Sequence, residues 1–281
     1  MAAPIERGSA VPPAPATALA RLLDVMARLR DPQSGCPWDR EQTFATIAPY
    51  TIEEAYEVAD AIASGDTAAI KEELGDLLFQ VVFYAQMARE AGTFDFAAIA
   101  DAIAEKMERR HPHVFGDARI DSAAAQLLAW EATKAQERAA AGEAGKPPSV
   151  LDGVARALPA LTRAEKLTKR AARNRFDWPE AVQVLDKIEE EIRELRVEIA
   201  ARAPAERLTD ELGDLLFACA NLARKLSLDP EATLRSANDK FERRFRRVEA
   251  LLAERGRTPG ESTLEEMDTL WDAVKAEERA P

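Results

Sequence analysis

The heptapeptide ELGDLLF occurs at Glu73–Phe79 and again at Glu211–Phe217, 138 positions later. On a helix, Glu73 and Asp76 are i, i+3 neighbours, as are Glu211 and Asp214, so each pair shares one edge. Leu74, Leu77 and Leu78 form an i, i+3, i+4 stripe that is expected to bury itself. The acids flank that stripe, where a lone carboxylate loses solvation and a second like charge adds to the cost. A cation would offset both. The intervening Gly75 or Gly213 costs about 1 kcal/mol relative to alanine in a helix interior. A partner helix or a ligand is therefore expected to approach the backbone there.

The helix before each heptapeptide offers matching acids: Glu53, Glu54 and Glu57 in the first half, Glu190, Glu191 and Glu194 in the second. If the two helices pack antiparallel, Glu54, Glu57, Glu73 and Asp76 converge, as do Glu191, Glu194, Glu211 and Asp214. Ligands that are all oxygen suit Mg²⁺ or Mn²⁺, hard ions that keep waters and recruit substrate phosphates. One of these acids also has a local role open to it. Thr51-Ile-Glu-Glu54 matches a capping box, but EEEIRE at Glu189–Glu194 lies well inside its helix, where no cap is needed. Di-iron bundles pair their glutamates with ExxH histidines. The only histidines, His111 and His113, are in the first half beside Pro112, where they read as a helix end. A histidine-dependent triad or zinc site is thus excluded from the second half.

Cations follow about 25 residues beyond each heptapeptide. Lys240 and Arg244 are i, i+4, matched by Lys106 and Arg110. Trp271 and Lys275 are another such pair, matched by Trp130 and Lys134. Arg243 and Arg109 point elsewhere, and Phe241 is expected to pack. An acid cradle, cations and an indole together suit a triphosphate carrying a base. Stacking gives such a platform broad base tolerance.

The elements that must position these residues are helices. Ala, Leu, Glu and Arg dominate and β-branched residues are sparse, which favours helix over strand. Every long segment has helical periodicity. In the second half one helix is expected from about Pro179 to Ala201, and Pro204 opens the next towards Leu226. Pro230 opens a third through Arg255, and Ser262 or Thr263 caps a last. The first half repeats the set with an additional helix near Ala18–Arg30. PWD, IEEAYE, ELGDLLF, EKMERR and AWEATKAQER find counterparts in the same order as FDW, EEEIRE, ELGDLLF, DKFERR and LWDAVKAEER. This is an ancestral duplication. The expected organisation is a floppy Ala/Pro-rich leader at 1–17, a module at 18–138, a Gly/Pro-marked linker at 139–150 and a module at 151–281. GEAGK within the linker fails the spacing of a phosphate loop.

The chain has 281 residues, 47% hydrophobic and 31% charged, with a formal charge of −12. That charge argues against a general nucleic-acid surface but not against phosphates bridged by metal ions. Cys36 and Cys219 form no CxxC or disulfide framework, which fits a reducing compartment. The longest apolar runs fall far short of the roughly 20 residues a bilayer span needs. The leader lacks a signal peptide's continuous apolar stretch. A cytoplasmic protein without membrane partners is expected.

On these residues the chain resembles the MazG family of nucleoside triphosphate pyrophosphohydrolases in its tandem-module form. The EExxE…ExxD signature stands as Glu190-Glu191-x-x-Glu194…Glu211-x-x-Asp214 and as Glu53-Glu54-x-x-Glu57…Glu73-x-x-Asp76, with CPWDREQTF and ERRHPHVF beside it. The resemblance covers essentially everything after residue 18. It implies an all-α fold of two tandem helical-bundle modules, homodimeric and Mg²⁺-dependent, cleaving NTPs or dNTPs to monophosphate and pyrophosphate. By the same likeness Glu191, Glu194, Glu211 and Asp214 hold Mg²⁺, while Lys187, Lys240, Arg244, Trp271 and Lys275 hold the nucleotide. Glu190 is the candidate to orient or deprotonate the attacking water. The halves differ, since Lys187 aligns with Tyr50 and Asn238 with Ala104. Residues 151–281 are therefore expected to carry the main activity, and 18–138 assembly or weak turnover. Rival readings are a narrower pyrophosphohydrolase, acting on dUTP or phosphoribosyl-ATP, and a non-enzymatic helical scaffold.

Overall fold

The computed structural model describes residues 14–279 apart from 124, 127, 128, 131, 132, 134–136 and 138–148. Most of the expected leader and linker, and Lys134, lie outside the described residues. The described chain is helical, without strands, and divides into two compact units, Met1–Thr133 and Lys134–Pro281.

The first unit contains α1 (Pro15–Leu29), α2 (Pro37–Glu41), α3 (Phe44–Ser64), α4 (Thr67–Glu90), α5 (Phe96–Arg110) and α6 (Pro112–Phe115). Helix α1 begins at Pro15, so the last residues of the expected leader are helical. The turn between α3 and α4 is made by Gly65, at φ 73°, and Asp66, whose carboxylate accepts from Ala68 N at 2.8 Å. A left-handed residue followed by a cap reverses the chain within two positions. Met26, Ile47, Val82, Phe83 and Met87 form the core that fastens α1 and α3 to α4.

Thr51 corrects one expectation. It lies inside α3, which is capped further back by a reciprocal Thr43–Thr46 box, and its hydroxyl bonds Tyr84 Oη at 2.8 Å. Glu54 therefore has no capping duty in this half either.

The second unit contains α7 (Ala160–Arg173), α8 (Ala181–Ala200), α9 (Ala205–Lys225), α10 (Pro230–Glu254) and α11 (Leu264–Glu277). Pro204 stands at the N-cap of α9, Pro230 opens α10, and Thr263 caps α11 through Glu266 N. Helices α8 and α9 form the hairpin equivalent to α3 and α4, with α7 packed along α9. A second hairpin, α10 with α11, closes over Val248, Leu252, Leu270 and Val274.

The leucine stripe departs from expectation. Leu74 and Leu78 are 49% and 41% exposed, and their equivalents Leu212 and Leu216 are 47% and 51% exposed. A hairpin is only one layer thick, and α1 or α7 covers just one of its faces. Apart from the glycines' chain neighbours and the backbone of their own helices, no described atom comes within 4 Å of where a Cβ would sit on Gly75 or Gly213. Neither glycine is packed against a helix of its own unit.

Candidate active site

In each unit the hairpin brings three of its four expected acids together, while the exposed Asp76 and Asp214 stand outside those clusters. Carboxylate oxygens of Glu191, Glu194 and Glu211 lie within 4.8 Å of one another, as do those of Glu54, Glu57 and Glu73. The antiparallel pairing of α8 with α9 produces this, because Glu191 and Glu194 on α8 face the seam where Glu211 stands on α9. Glu191 and Glu211 are buried and Glu194 is exposed, so the cluster is dry at its base and open at its rim. The buried Glu191 Oε2 lacks a hydrogen-bond partner. Such an atom is costly unless a cation meets it.

The second unit partly balances its acids. Lys187 Nζ lies 2.7 Å from Glu191 and 2.8 Å from Glu190. Its bonds to Glu190 and then Glu191 raise the Lys187 pKa, so the amine stays charged. The same bond and charge from Lys187 hold Glu190 below the usual carboxylate range, which makes Glu190 a weak proton acceptor. Arg207 bridges Glu211 at 3.0 Å and Glu198 at 2.7 Å.

The first unit lacks both counter-charges, because Tyr50 and Ala69 stand where Lys187 and Arg207 would be. The electrostatics change accordingly. Burial first, then the charges of Asp76 and Glu57, push the Glu54 carboxyl up against an opposing hydrogen bond from Gln80. Burial followed by Glu57 and Asp76 raises Glu73. Carboxyl groups crowded together without those counter-charges resist ionisation.

Beside the acids of the second unit opens a cavity of about 500 Å³. Lys187, Glu191 and Asp214 stand on its wall together with Phe176, Trp178, Phe217, Thr168, Asp177 and Asn221. An apolar, aromatic pocket with a few placed polar groups is the usual form of a small-molecule site. The loop carrying Phe176 and Trp178 is pinned by Asp177, which meets Arg224 at 2.6 Å and Lys225 at 3.0 Å. Burial would raise the Asp177 pKa, but those two cations outweigh it and keep the carboxyl below its ordinary value.

Lys240, Arg244, Trp271 and Lys275 stand on the two helices expected to carry them. They lie on the α10–α11 hairpin and none of them lines the cavity. Arg244 sits 5.8 Å from the Trp271 ring and pairs with Glu278 at 2.7 Å, a carboxylate that Arg243 shares at 3.1 Å. Lys275 pairs with Asp272 at 2.7 Å. Trp271 packs against the hairpin core and lies 5.3 Å from Phe241.

Sequence reasoning passed over Arg207, Trp178 and Asn221. A signal for two of them was present. Arg207 precedes Glu211 by one turn, and Asn221 follows Asp214 by seven residues, so both share the acids' face of α9.

Each all-α unit thus carries a hairpin that gathers carboxylates, and in the second unit they lie beside a cavity of nucleoside size. The chain belongs to the MazG family: the MazG nucleotide pyrophosphohydrolase domain matches it twice, at residues 42–115 and 180–248. It is 53% identical over 259 residues to the nucleoside triphosphate pyrophosphohydrolase of Escherichia coli K12, covering 92% of this chain and 97% of that protein. It is 43% identical over 255 residues to the nucleoside triphosphate pyrophosphohydrolase/pyrophosphatase MazG of Thermotoga maritima, covering 90% of this chain and 94% of the relative. A Mycobacterium tuberculosis nucleoside triphosphate pyrophosphohydrolase is 39% identical over 153 residues, 54% of this chain.

Proposed function

We propose that this chain hydrolyses ribo- and deoxyribonucleoside triphosphates to the monophosphate and pyrophosphate, mainly in its second unit, as nucleotide-pool housekeeping. The observation that carries this is the orphaned, buried Glu191 Oε2 beside Glu194 and Glu211, on the wall of a cavity large enough for a nucleoside. An all-oxygen donor set with an unsatisfied carboxylate oxygen fits a hard divalent ion. Glu191, Glu194, Glu211 and Asp214 would hold Mg²⁺, with Mn²⁺ as a substitute, and Glu54, Glu57, Glu73 and Asp76 the equivalent ion of the first unit. Bound there, Mg²⁺ would lower the pKa of a water and neutralise phosphate charge.

The residues themselves divide the remaining work. Lys187, permanently charged at the cavity wall, meets the phosphate chain and stabilises charge building on the leaving pyrophosphate. Glu190 holds Lys187 and orients the water rather than accepting its proton. The water gives up a proton to bulk solvent and its oxygen bonds to the α-phosphorus, while the bond from that phosphorus to the bridging oxygen breaks and the bridging oxygen departs with pyrophosphate. Phe176, Trp178 and Phe217 wall the cavity that takes the nucleoside. Arg244, Lys240, Lys275 and Trp271 contribute from the α10–α11 hairpin, where Glu278 holds Arg244 until phosphate replaces it.

The exposed faces of Leu74, Leu78, Leu212 and Leu216 support a homodimer in which a second copy covers each hairpin. The test of function is pyrophosphate release from a panel of all eight NTPs and dNTPs, with Mg²⁺ and with chelator. Release from most of the panel that chelator abolishes is the expected result. Release confined to dUTP would establish the narrower enzyme, and no release from any would overturn the reading.

A further inference from the structure

The cavity wall contains several polar side chains, and most are already committed. Both oxygens of Asp177 are taken, one by Arg224 and one by Lys225. The Thr168 hydroxyl donates to backbone carbonyls of its own helix, at 2.9 Å to Ala164 O and 3.1 Å to Glu165 O. Lys187 is engaged by Glu190 and Glu191. Glu191 and Asp214 are assigned to the metal ion, which leaves Asn221, only 3% exposed.

Its Oδ1 accepts from Arg224 Nε at 3.0 Å and from Arg224 Nη2 at 2.8 Å. A guanidinium only donates, so the atom facing it must be the carboxamide oxygen. Asn221 cannot flip without setting its NH₂ against the N–H donors of that guanidinium. What it retains for a ligand is therefore a pair of N–H donors, with no acceptor. Arg224 is in turn anchored on Asp177, so the orientation is fixed at both ends.

We propose that Asn221 reads the base of the bound nucleotide, favouring bases with an oxo rather than an amino group at purine C6 or pyrimidine C4, and that Arg224 is the positioning residue that sets this preference. The inference rests on the reading that the cavity takes the nucleoside. All purines offer N7, so the distinction lies at the neighbouring substituent, where guanine presents O6 and thymine or uracil O4 as acceptors. Adenine and cytosine place an amino donor at the matching position, against which an NH₂ is repulsive. The first unit has no such reader. The equivalent position is Phe83, 1% exposed and buried in that unit's core, with the Arg30 guanidinium 5.4 Å from its ring.

Two substrate pairs isolate the contact, because ITP and ATP, like UTP and CTP, differ by an oxo group against an amino group. Steady-state kcat/KM for pyrophosphate release is expected to favour the oxo member of both pairs by about tenfold, the discrimination one buried hydrogen bond gives. Asn221→Leu, which keeps the volume and removes the donors, should bring both ratios close to one. Arg224→Met, which frees the carboxamide to turn, should narrow them. Wild-type ratios close to one, or ratios unchanged in Asn221→Leu, would overturn the proposal, and the wild-type ratios decide even if a variant misfolds. Absence of pyrophosphate from all four substrates would overturn the function itself, an outcome distinct from even turnover of all four.

Discussion

Lys187 Nζ lies 2.7 Å from the buried carboxylate of Glu191, one helical turn further along α8. The ammonium thereby reaches the acid cluster and the cavity wall at once. Replacing it by methionine keeps the stem and removes the charge. Lys187→Met should lower kcat/KM for pyrophosphate release about a hundredfold, as loss of a donor aimed at developing charge does. Steady-state assays at saturating Mg²⁺, with helicity checked by circular dichroism, measure it. Activity near that of the wild type would remove Lys187 from the chemistry.

The two acid clusters should not be worth the same. Glu211→Ala with Asp214→Ala in the full chain is expected to reduce turnover by about 10² or more, the scale on which metal sites respond to lost ligands. Glu73→Ala with Asp76→Ala should leave most of it, because Tyr50 and Ala69 stand where Lys187 and Arg207 would serve that cluster. Comparable losses from the two double variants would show that both units turn over substrate.

A pH dependence follows from the raised Glu54 and Glu73 carboxyls. Their pKa values lie above those of the unfolded chain, so the folded first unit binds more protons in that range. Its stability is then full below the usual glutamate value of 4.5 and falls as pH rises through the elevated values. Glu73→Gln removes one repelling charge. The variant should melt higher than the wild type at pH 7 without divalent ions, and the gap should close near pH 4. Mg²⁺ should raise the wild-type melting temperature at pH 7 more than at pH 4, where protons compete for the oxygens. Identical melting curves at both pH values would contradict this account of the cluster.

The exposed leucines carry a prediction of assembly. Leu212→Glu combined with Leu216→Glu places two charges on the uncovered face of α9, where desolvating them would be costly. Sedimentation should show a dimer for the wild type and a shift to monomer for the variant. A wild-type monomer at micromolar concentration would refute the proposed dimer, as would a variant that assembles unchanged.

Much of this was written in the chain. Each i, i+3 and i, i+4 relation is a local consequence of helical geometry. The duplicated ELGDLLF, the all-α class, the prolines that open α9 and α10, and the convergence of acids across a hairpin could therefore be read by counting. Duplication supplied a control as well: what Tyr50 and Ala69 lack is visible beside Lys187 and Arg207.

Burial was not legible in the same way. Leu74 and Leu212 have the periodicity of a core stripe, yet periodicity says only that a face is apolar, not that this chain covers it. Lys240 and Arg244 share a helix face by their spacing, as do Trp271 and Lys275, but counting along a helix cannot say which cavity that face borders. The cavity is lined instead by Phe176 and Trp178, from the loop before α8, and by Asn221 on α9. Only tertiary packing decided this, because those residues are separated in sequence and meet through the docking of α7 on α9 and the hold of Arg224 on Asp177. The direction of the Asn221 carboxamide belongs to the same category. Its residue type is in the sequence, but which end faces a ligand depends on the guanidinium that claims the other.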